Sequence, residues 1–412
     1  MAYKEYRDPL YGFIGLTEPE QIIVDSEPFQ RLRGIKQLGT TYLVYPTANH
    51  TRFEHSLGTI EIATRMFDAL INNQDNVSIL GWNKNEITYY RHVLRFASLL
   101  HDLGHPPFSH ASESLFPDGW DHETYTQNMI LNVEPIVSII NQELGDNGSR
   151  IVSEVATGSA KERNLAFLSE LLTGDFGADR IDYLLRDSYQ LGVAYGKFDA
   201  QRLLNTLHIR YSSEKEGPEL AVEDGGVHSV EGFLLARYFM FLDVYFHKTR
   251  RIMDIHLTEF LRSLLPGEKY PKNLKTFLKW DDNRVMEFIR KSKDSPHTGR
   301  LLKRQHYRVV SETTDHPQPE EIERFDWLKS ELEKNYDPEI LRFDEARKNP
   351  YNFTQPPIFV FWRKKYHPLH KRSPLANNLR KIQKMRIYTR PDFREVVEDF
   401  CNTFLNKREQ RR

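Results

Sequence analysis

The ten residues His101-Asp102-Leu103-Gly104-His105-Pro106-Pro107-Phe108-Ser109-His110 constrain the fold of this chain more than any other segment. They close a stretch, 86–102, in which Tyr90, Val93, Phe96 and Leu100 recur at helical spacing on one side. Gly104 and the Pro106-Pro107 pair cannot continue that helix. Successive residues on a regular helix point about 100° apart. His101 and Asp102 must therefore stand at the helix end if imidazole and carboxylate are to face one point.

Histidine is concentrated around this run. Seven of the 16 (His50, His55, His92, His101, His105, His110, His122) fall within residues 50–122. That residue type suits metal ligation and proton transfer near neutral pH. The lone cysteine, Cys401, excludes an internal disulfide framework. No window approaches the roughly 20 apolar residues of a membrane span, and residues 1–20 lack an apolar signal core, so a cytoplasmic protein with no membrane partner is expected. The net charge of −1 is an average. Residues 363–412 carry 15 Lys and Arg against five acids, a net of +10, which leaves −11 on the first 362 residues.

A hairpin is expected over Tyr6–Leu16, from the Asp8-Pro9 turn signal and Gly12 between apolar positions. From there to about residue 290 the pattern is helical, as in Phe29, Leu32, Ile35 and Leu38, then Ile60, Ala63, Met66, Phe67 and Leu70. Further helices are predicted at 122–142, 162–173, 176–190, 228–264 and 283–292, with a second hairpin over 206–227. Residues 292–350 read as charge-rich and irregular. Pro357–Trp362 and Met385–Tyr388 are strand-like, and 392–406 is helical. The expected fold is mainly α: a helical bundle with short β-hairpins and a smaller α+β C-terminal domain. The expected divisions are 1–24, 25–290 and 291–412.

Four segments carry the chemistry: Arg52–Gly58, His101–His110, His122-Glu123 and Asp179–Asp187. Imidazoles with carboxylates suit Zn, Fe, Mn, Co or Ni, with Mg less natural. The upstream His, the HDxGHxPxSH run and the downstream Asp in a helical context resemble the HD-domain metal-dependent phosphohydrolases. The chain is most similar to the deoxynucleoside triphosphate (dNTP) triphosphohydrolases related to the SAM-and-HD-domain enzyme, with no SAM domain expected here. The resemblance is clear over about residues 4–260 and thin beyond.

That resemblance implies one divalent ion (Mn, Fe, Zn, Co, Ni or Mg) held by His55, His101, Asp102 and Asp179, with additional Mg accompanying the substrate. It implies hydrolysis of a dNTP, dGTP being the candidate preferred substrate, to deoxynucleoside and inorganic triphosphate. His105, His110, His122 and Glu123 match the catalytic group. His110 is assigned the proton-donor role, held in tautomer by Glu123 or Glu113. Tyr183, Arg186, Asp187 and Gln190 share a helix face with Asp179 by spacing. By resemblance Arg52, Arg180, Tyr183 and Arg237 meet phosphates, Asp187 and Gln37 meet the sugar, Leu38 packs against its 2′ position, and Tyr245 stacks on it.

Relatives of this kind bind an activating guanine nucleotide between subunits, and Lys4, Asp25, Gln30, Arg33 and Phe53 match that site. Asp25 has a second reading, as the N-cap of the following helix. Glu5, Arg7 and Tyr189-Gln190 depart from the family pattern. The basic tail has three readings: an effector phosphate site across a homo-oligomer boundary, a nucleic-acid surface, or a solvated face, the last being the default. Two other functions stay open beside the first. One is an HD-type phosphodiesterase or nucleotidase; the other is a nucleotide-sensing or nucleic-acid-binding protein with secondary hydrolysis.

Overall fold

The computed structural model describes residues 4–349 and 358–409, with side chains through Phe404. Pro357 of the strand-like run and residues 410–412 of the basic tail lie outside the described residues. Strands β1 (Lys4–Asp8) and β2 (Gly12–Leu16) form the opening hairpin. Asp8 builds its turn by accepting the backbone N–H groups of Leu10 at 2.8 Å and Tyr11 at 3.1 Å.

The helix Arg52–Ile71 starts at Thr51, whose backbone N–H donates to Glu54 at 2.8 Å in a capping box. Its buried side includes the expected stripe Ile60, Ala63, Met66, Phe67 and Leu70, and extends it with Phe53 and Leu57. That side packs against the helices Lys84–Leu100 and Ala178–Leu191. These three helices form the frame on which the site is built.

Two long helices expected from periodicity are interrupted. The segment 122–142 divides into His122–Asn132 and Ile136–Leu144 at Pro135, which has no N–H to donate. The segment 228–264 divides into Val227–Phe239, a π turn over Met240–Tyr245, and Lys248–Leu264. There the N–H of Phe246 reaches the carbonyl of Phe241 at 2.9 Å, a five-residue step.

Strands β3 (Leu207–Ser212) and β4 (Gly217–Glu223) form the second hairpin where it was expected. The expected irregular stretch 292–350 is the main departure, because its described part, 292–349, is structured. It holds β5 (Arg308–Glu312), the helix Pro319–Asn335 and β6 (Leu341–Lys348). That helix buries only Phe325, Leu328 and Leu332, and a stripe so narrow is hidden in sequence by the charges of its solvent side. Strands β7 (Phe359–Trp362), β8 (Lys365–Pro368) and β9 (Ile382–Thr389) follow, then the helix Arg394–Glu409.

Two sheets result, in the orders β3-β4-β7-β8 and β5-β9-β6. The β4–β7 pairing is parallel, so a late strand extends the body's hairpin. One large core fills the helical body, and a smaller one joins Phe325, Leu328, Leu332, Ile387, Val397 and Cys401 in the C-terminal region. The fold is mainly α with a smaller α+β C-terminal region. Among the described residues no helix is long and apolar enough to cross a membrane.

Candidate metal centre and substrate cavity

The helix Lys84–Leu100 ends at His101, its C-cap, as Gly104 and the prolines require. Gly104 lies against the helix His122–Asn132 so closely that a Cβ there would sit 2.0 Å from the carbonyl oxygen of His122. The turn delivers His101 and Asp102 to a point also reached by His55, from Arg52–Ile71, and Asp179, from the first turn of Ala178–Leu191. His55 Nε2 lies 3.1 Å from Asp179 Oδ1 and 3.5 Å from Asp102 Oδ2. His101 Nε2 lies 3.4 Å from Asp102 Oδ1 and 3.8 Å from Asp179 Oδ1. Ligand atoms about 2.1 Å from a common ion stand roughly 3–3.5 Å apart, so the spacing fits a divalent metal.

The tautomers fit as well. His101 Nδ1 donates to the Ser98 carbonyl at 2.8 Å, which leaves a lone pair on Nε2, a buried atom with no hydrogen-bond partner. His55 Nδ1 donates to Asp182 Oδ2 at 2.8 Å, which likewise turns the lone pair of Nε2 toward Asp102 and Asp179. Burial disfavours the charged imidazole, yet Asp179, Asp182 and Asp102 push the His55 pKa up to about 10. A field that holds a proton so firmly also favours a dication. His55, His101 and Asp102 form a compact group that could hold an ion. Another compact group, His256, Glu259 and His297, suits a cation less, because Arg342 and Arg300 already engage Glu259.

Behind His55 runs a buried network. Tyr11 donates to Asp182 Oδ1 at 2.8 Å, and Arg186 bonds both oxygens of Asp182 at 2.9 Å and Asp8 Oδ2 at 2.8 Å. Arg186 therefore faces the β1–β2 turn and not the cavity, although it shares a helix with Asp179. Gly58 makes room for the network: a Cβ there would lie 1.8 Å from Asp182 Oδ1. The i,i+4 spacing of Asp182 and Arg186 was the available sequence signal for this pair.

His105, His110 and His122 gather beside the metal group. The rings of His105 and His122 stack with centroids 4.2 Å apart, and His110 stands edge-on to His105 at 5.1 Å. Of the two acids left open by the sequence, Glu113 is the shared partner: it lies 2.9 Å from the Nδ1 atoms of both His110 and His122. Burial alone would raise the Glu113 pKa, but His110 and His122 hold it well below the usual carboxylate range. His122 is shifted upward, the pull of Glu113 outweighing burial, while burial and Arg52 hold His105 well below its ordinary value. Glu123 lines the cavity without an ion pair to these imidazoles among the described residues, and burial raises its pKa.

The cavity, of about 1120 Å³, is lined by Gln37, Leu38, Arg52, Arg180, Tyr183, Asp187, Arg237 and Tyr245 together with His101, Asp102, Asp179 and the three further histidines, while His55 is fully buried behind Asp102 and Asp179. Arg237, from the helix Val227–Phe239, and Tyr245, from the π turn, both line it. Arg52 donates to Ser109 Oγ at 2.8 Å and pairs with Asp102. Arg180 pairs with Asp175 at 2.7 Å. Asp187 is already engaged, by His50 at 2.7 Å and the Tyr245 hydroxyl at 2.6 Å. Phe108 and Ser109 both have positive φ, 59° and 54°, conformations that cost about 1–3 kcal/mol each in such residues. Asp282 holds that loop by accepting the Phe108 N–H at 2.6 Å and the Lys36 N–H at 2.9 Å.

The five proposed effector residues stand away from this cavity. Lys4 faces Asp25 at 3.8 Å, Gln30 accepts from Arg33 at 2.9 Å, and Arg33 lies 3.5 Å over the Phe53 ring. Asp25 is the C-cap of Glu18–Val24, and Ser26 stands at the N-cap of the next helix, so the N-cap reading of Asp25 is corrected. The basic tail is partly neutralised within the chain: Arg372 pairs with Asp224 at 2.7 Å, Lys384 with Asp315 at 2.9 Å and Arg386 with Glu312 at 3.0 Å.

Residues 52–187 match the HD domain and residues 198–412 the HD associated region. The chain belongs to the HD-domain phosphohydrolase family, and the match continues past residue 260 to residue 412. A crystal structure of a hypothetical protein from Aquifex aeolicus superposes with a TM-score of 0.84 at 36% identity, covering 97% of this chain and 99% of that one. YwfO of Bacillus subtilis is 31% identical over 86% of this chain and 82% of its own length. The deoxynucleoside triphosphate triphosphohydrolase SAMHD1 of Gallus gallus is 27% identical over 77% of this chain. The matched region spans only 57% of that relative's length.

Proposed function

We propose that the protein hydrolyses dNTPs at the α-phosphorus, releasing deoxynucleoside and inorganic triphosphate. The observation that carries this reading is the joining, in one cavity, of His101, Asp102 and Asp179 of the His/Asp group, the three further histidines and the cations Arg52, Arg180 and Arg237. Arg237 supports it further. Its Nε is buried without a hydrogen-bond partner and its NH1 finds Asp175 only at 3.9 Å, a guanidinium under-satisfied until an anion arrives. Similarity to the SAMHD1 triphosphohydrolases points the same way.

His55, His101, Asp102 and Asp179 would hold a divalent ion, which when bound would polarise water and a phosphoryl oxygen as a Lewis acid. The chain's own groups do the rest. The water oxygen bonds to phosphorus as the bond to the 5′ oxygen breaks, and the proton that the water sheds passes to solvent, from which the donor is recharged. His110 is 61% exposed at its side chain and held at Nδ1 by Glu113, which leaves Nε2 to protonate the departing 5′ oxygen. His105 and His122 fix that pair in place. Arg180, Arg237 and Tyr183 orient the phosphates, and Gln37 brings a buried, unpartnered Oε1 to the sugar beside Leu38. Asp187 sets the Tyr245 ring for stacking. A guanine nucleotide at Lys4, Asp25, Gln30, Arg33 and Phe53, between subunits of a homo-oligomer, completes the reading.

The test is incubation of the purified protein with each dNTP, NTP and dNMP plus Mn²⁺, Mg²⁺ or Co²⁺, with products identified by chromatography. Deoxynucleoside and triphosphate should appear together. Orthophosphate as the sole phosphorus product would refute the reaction.

A further inference from the structure

Strand β6 meets the helical body through every second residue. Arg342 pairs with Glu259, Asp344 accepts Arg251 Nε at 3.0 Å, and Ala346 is buried in a cluster with Phe246 and Ile382. A strand's period of two puts Lys348 on the same face as these three. Arg342, Asp344 and Ala346 each have a complementary neighbour. Lys348 makes no hydrogen bond or ion pair among the described residues; its ammonium lies 5.1 Å from the centroid of the Phe241 ring.

Lys348 faces the substrate cavity, whose wall it shares with Arg180, Arg237 and Tyr183. Burial and the fields of Arg237 and Arg180 push its pKa down to about 8, against the pull of Asp179 and Asp175. Three cations thus converge on one cavity, and Asp175, which is not among the residues that line it, pairs with Arg180 and, at 3.9 Å, with Arg237. Like charges brought together out of water are costly unless a polyanion joins them.

We propose that Lys348 is a substrate-binding residue that meets the terminal phosphates of a nucleoside triphosphate, so that the HD associated region forms one wall of the substrate site. The proposal rests on the triphosphohydrolase reading. In that reaction the α-phosphorus sits at the metal group, where Arg52 already pairs with Asp102, and Lys348 contacts neither residue. Its charge therefore falls on the distal phosphates. This gives the C-terminal region a role in selecting triphosphates over monophosphates, because a monophosphate at the metal group lacks the distal phosphates that Lys348 meets.

The experiment compares full-length wild type with Lys348→Met and Lys348→Arg, all loaded with Mn²⁺. Calorimetric titration with tripolyphosphate and with orthophosphate is run beside dNTP kinetics. Lys348→Met should weaken tripolyphosphate binding and raise KM for dNTPs by about 10- to 100-fold, with a smaller change in kcat. Orthophosphate affinity should change by less than about twofold, and Lys348→Arg should recover most of the tripolyphosphate affinity. Unchanged tripolyphosphate binding in Lys348→Met would overturn the proposal, and so would equal losses for the two anions. Failure of the wild type to turn over any dNTP would instead refute the reaction, while the tripolyphosphate titrations would still decide the role of Lys348.

Discussion

Asp182 accepts a hydrogen bond from Nδ1 of His55 at 2.8 Å, and both side chains are fully buried. Through Asp182 the proposed metal ligand is tied to the N-terminal hairpin, because Tyr11 and Arg186 occupy the same carboxylate and Arg186 also binds Asp8. A carboxylate behind a ligating imidazole fixes its tautomer and raises its basicity. The hairpin that carries Lys4 is thus in mechanical contact with the metal group.

Asp182→Asn should lower Mn²⁺ affinity by about 10- to 100-fold, the usual effect of losing such a carboxylate. Tyr11→Phe should lower it by less, since Arg186 still holds Asp182. Isothermal titration calorimetry on the two variants checks this, and wild-type affinity in both would show that the network does not support His55.

Removing the proton donor should separate chemistry from metal binding. His110→Asn and Glu113→Gln should each reduce kcat by about 10²- to 10⁴-fold, the range for a positioned general acid. The metal content of both variants, measured by atomic absorption, should match wild type, because neither residue is among the four proposed ligands.

Gly104→Ala tests the packing of the His101–Gly104 turn. The new Cβ would meet backbone, 2.0 Å from the His122 carbonyl oxygen and 2.5 Å from the Thr126 nitrogen. The turn and the helix His122–Asn132 must then part. A loss of roughly 1–3 kcal/mol in unfolding free energy is expected. Metal affinity should fall with it, since His101 and Asp102 move with the turn. Urea titration and calorimetry read the two effects.

Stability should also carry a pH signature from Glu170. Burial pushes its carboxyl up to about 7, only partly opposed by Lys215 and by the Leu220 N–H. An unfolded Glu titrates near 4.3. Between about pH 4.3 and pH 7 the native state holds a proton that the unfolded chain has released, so stability falls as pH rises through that interval. Glu170→Gln keeps an acceptor for the Leu220 N–H but cannot ionise. Its melting temperature should therefore fall less between pH 5 and pH 7 than that of wild type. Asp282, also raised to about 7 by burial, should leave a residual slope in the variant.

The HD-domain bundle and its four proposed ligands were legible in the sequence because their signals are local. The helix stop at Gly104-His105-Pro106-Pro107, the apolar stripe from Ile60 to Leu70 and the motif residues that carry the family resemblance each act within a few residues. The helix Pro319–Asn335 was missed for the opposite reason, since three buried side chains cannot outweigh the charges around them in a window average. The π turn at Met240–Tyr245 was equally invisible, because a one-residue shift of the hydrogen-bond ladder leaves the apolar pattern almost unchanged.

By itself the sequence determined the helix stop at Gly104-His105-Pro106-Pro107 and which histidines and acids are close along the chain. Only tertiary structure decided that Glu113 and not Glu123 joins His110 to His122, that Arg186 turns away from the cavity, and that Lys348 reaches it from 169 residues beyond Asp179. The physical reason is the same in each case. A side chain's partner is set by which elements pack together, and packing joins residues whose separation in sequence holds no trace of it.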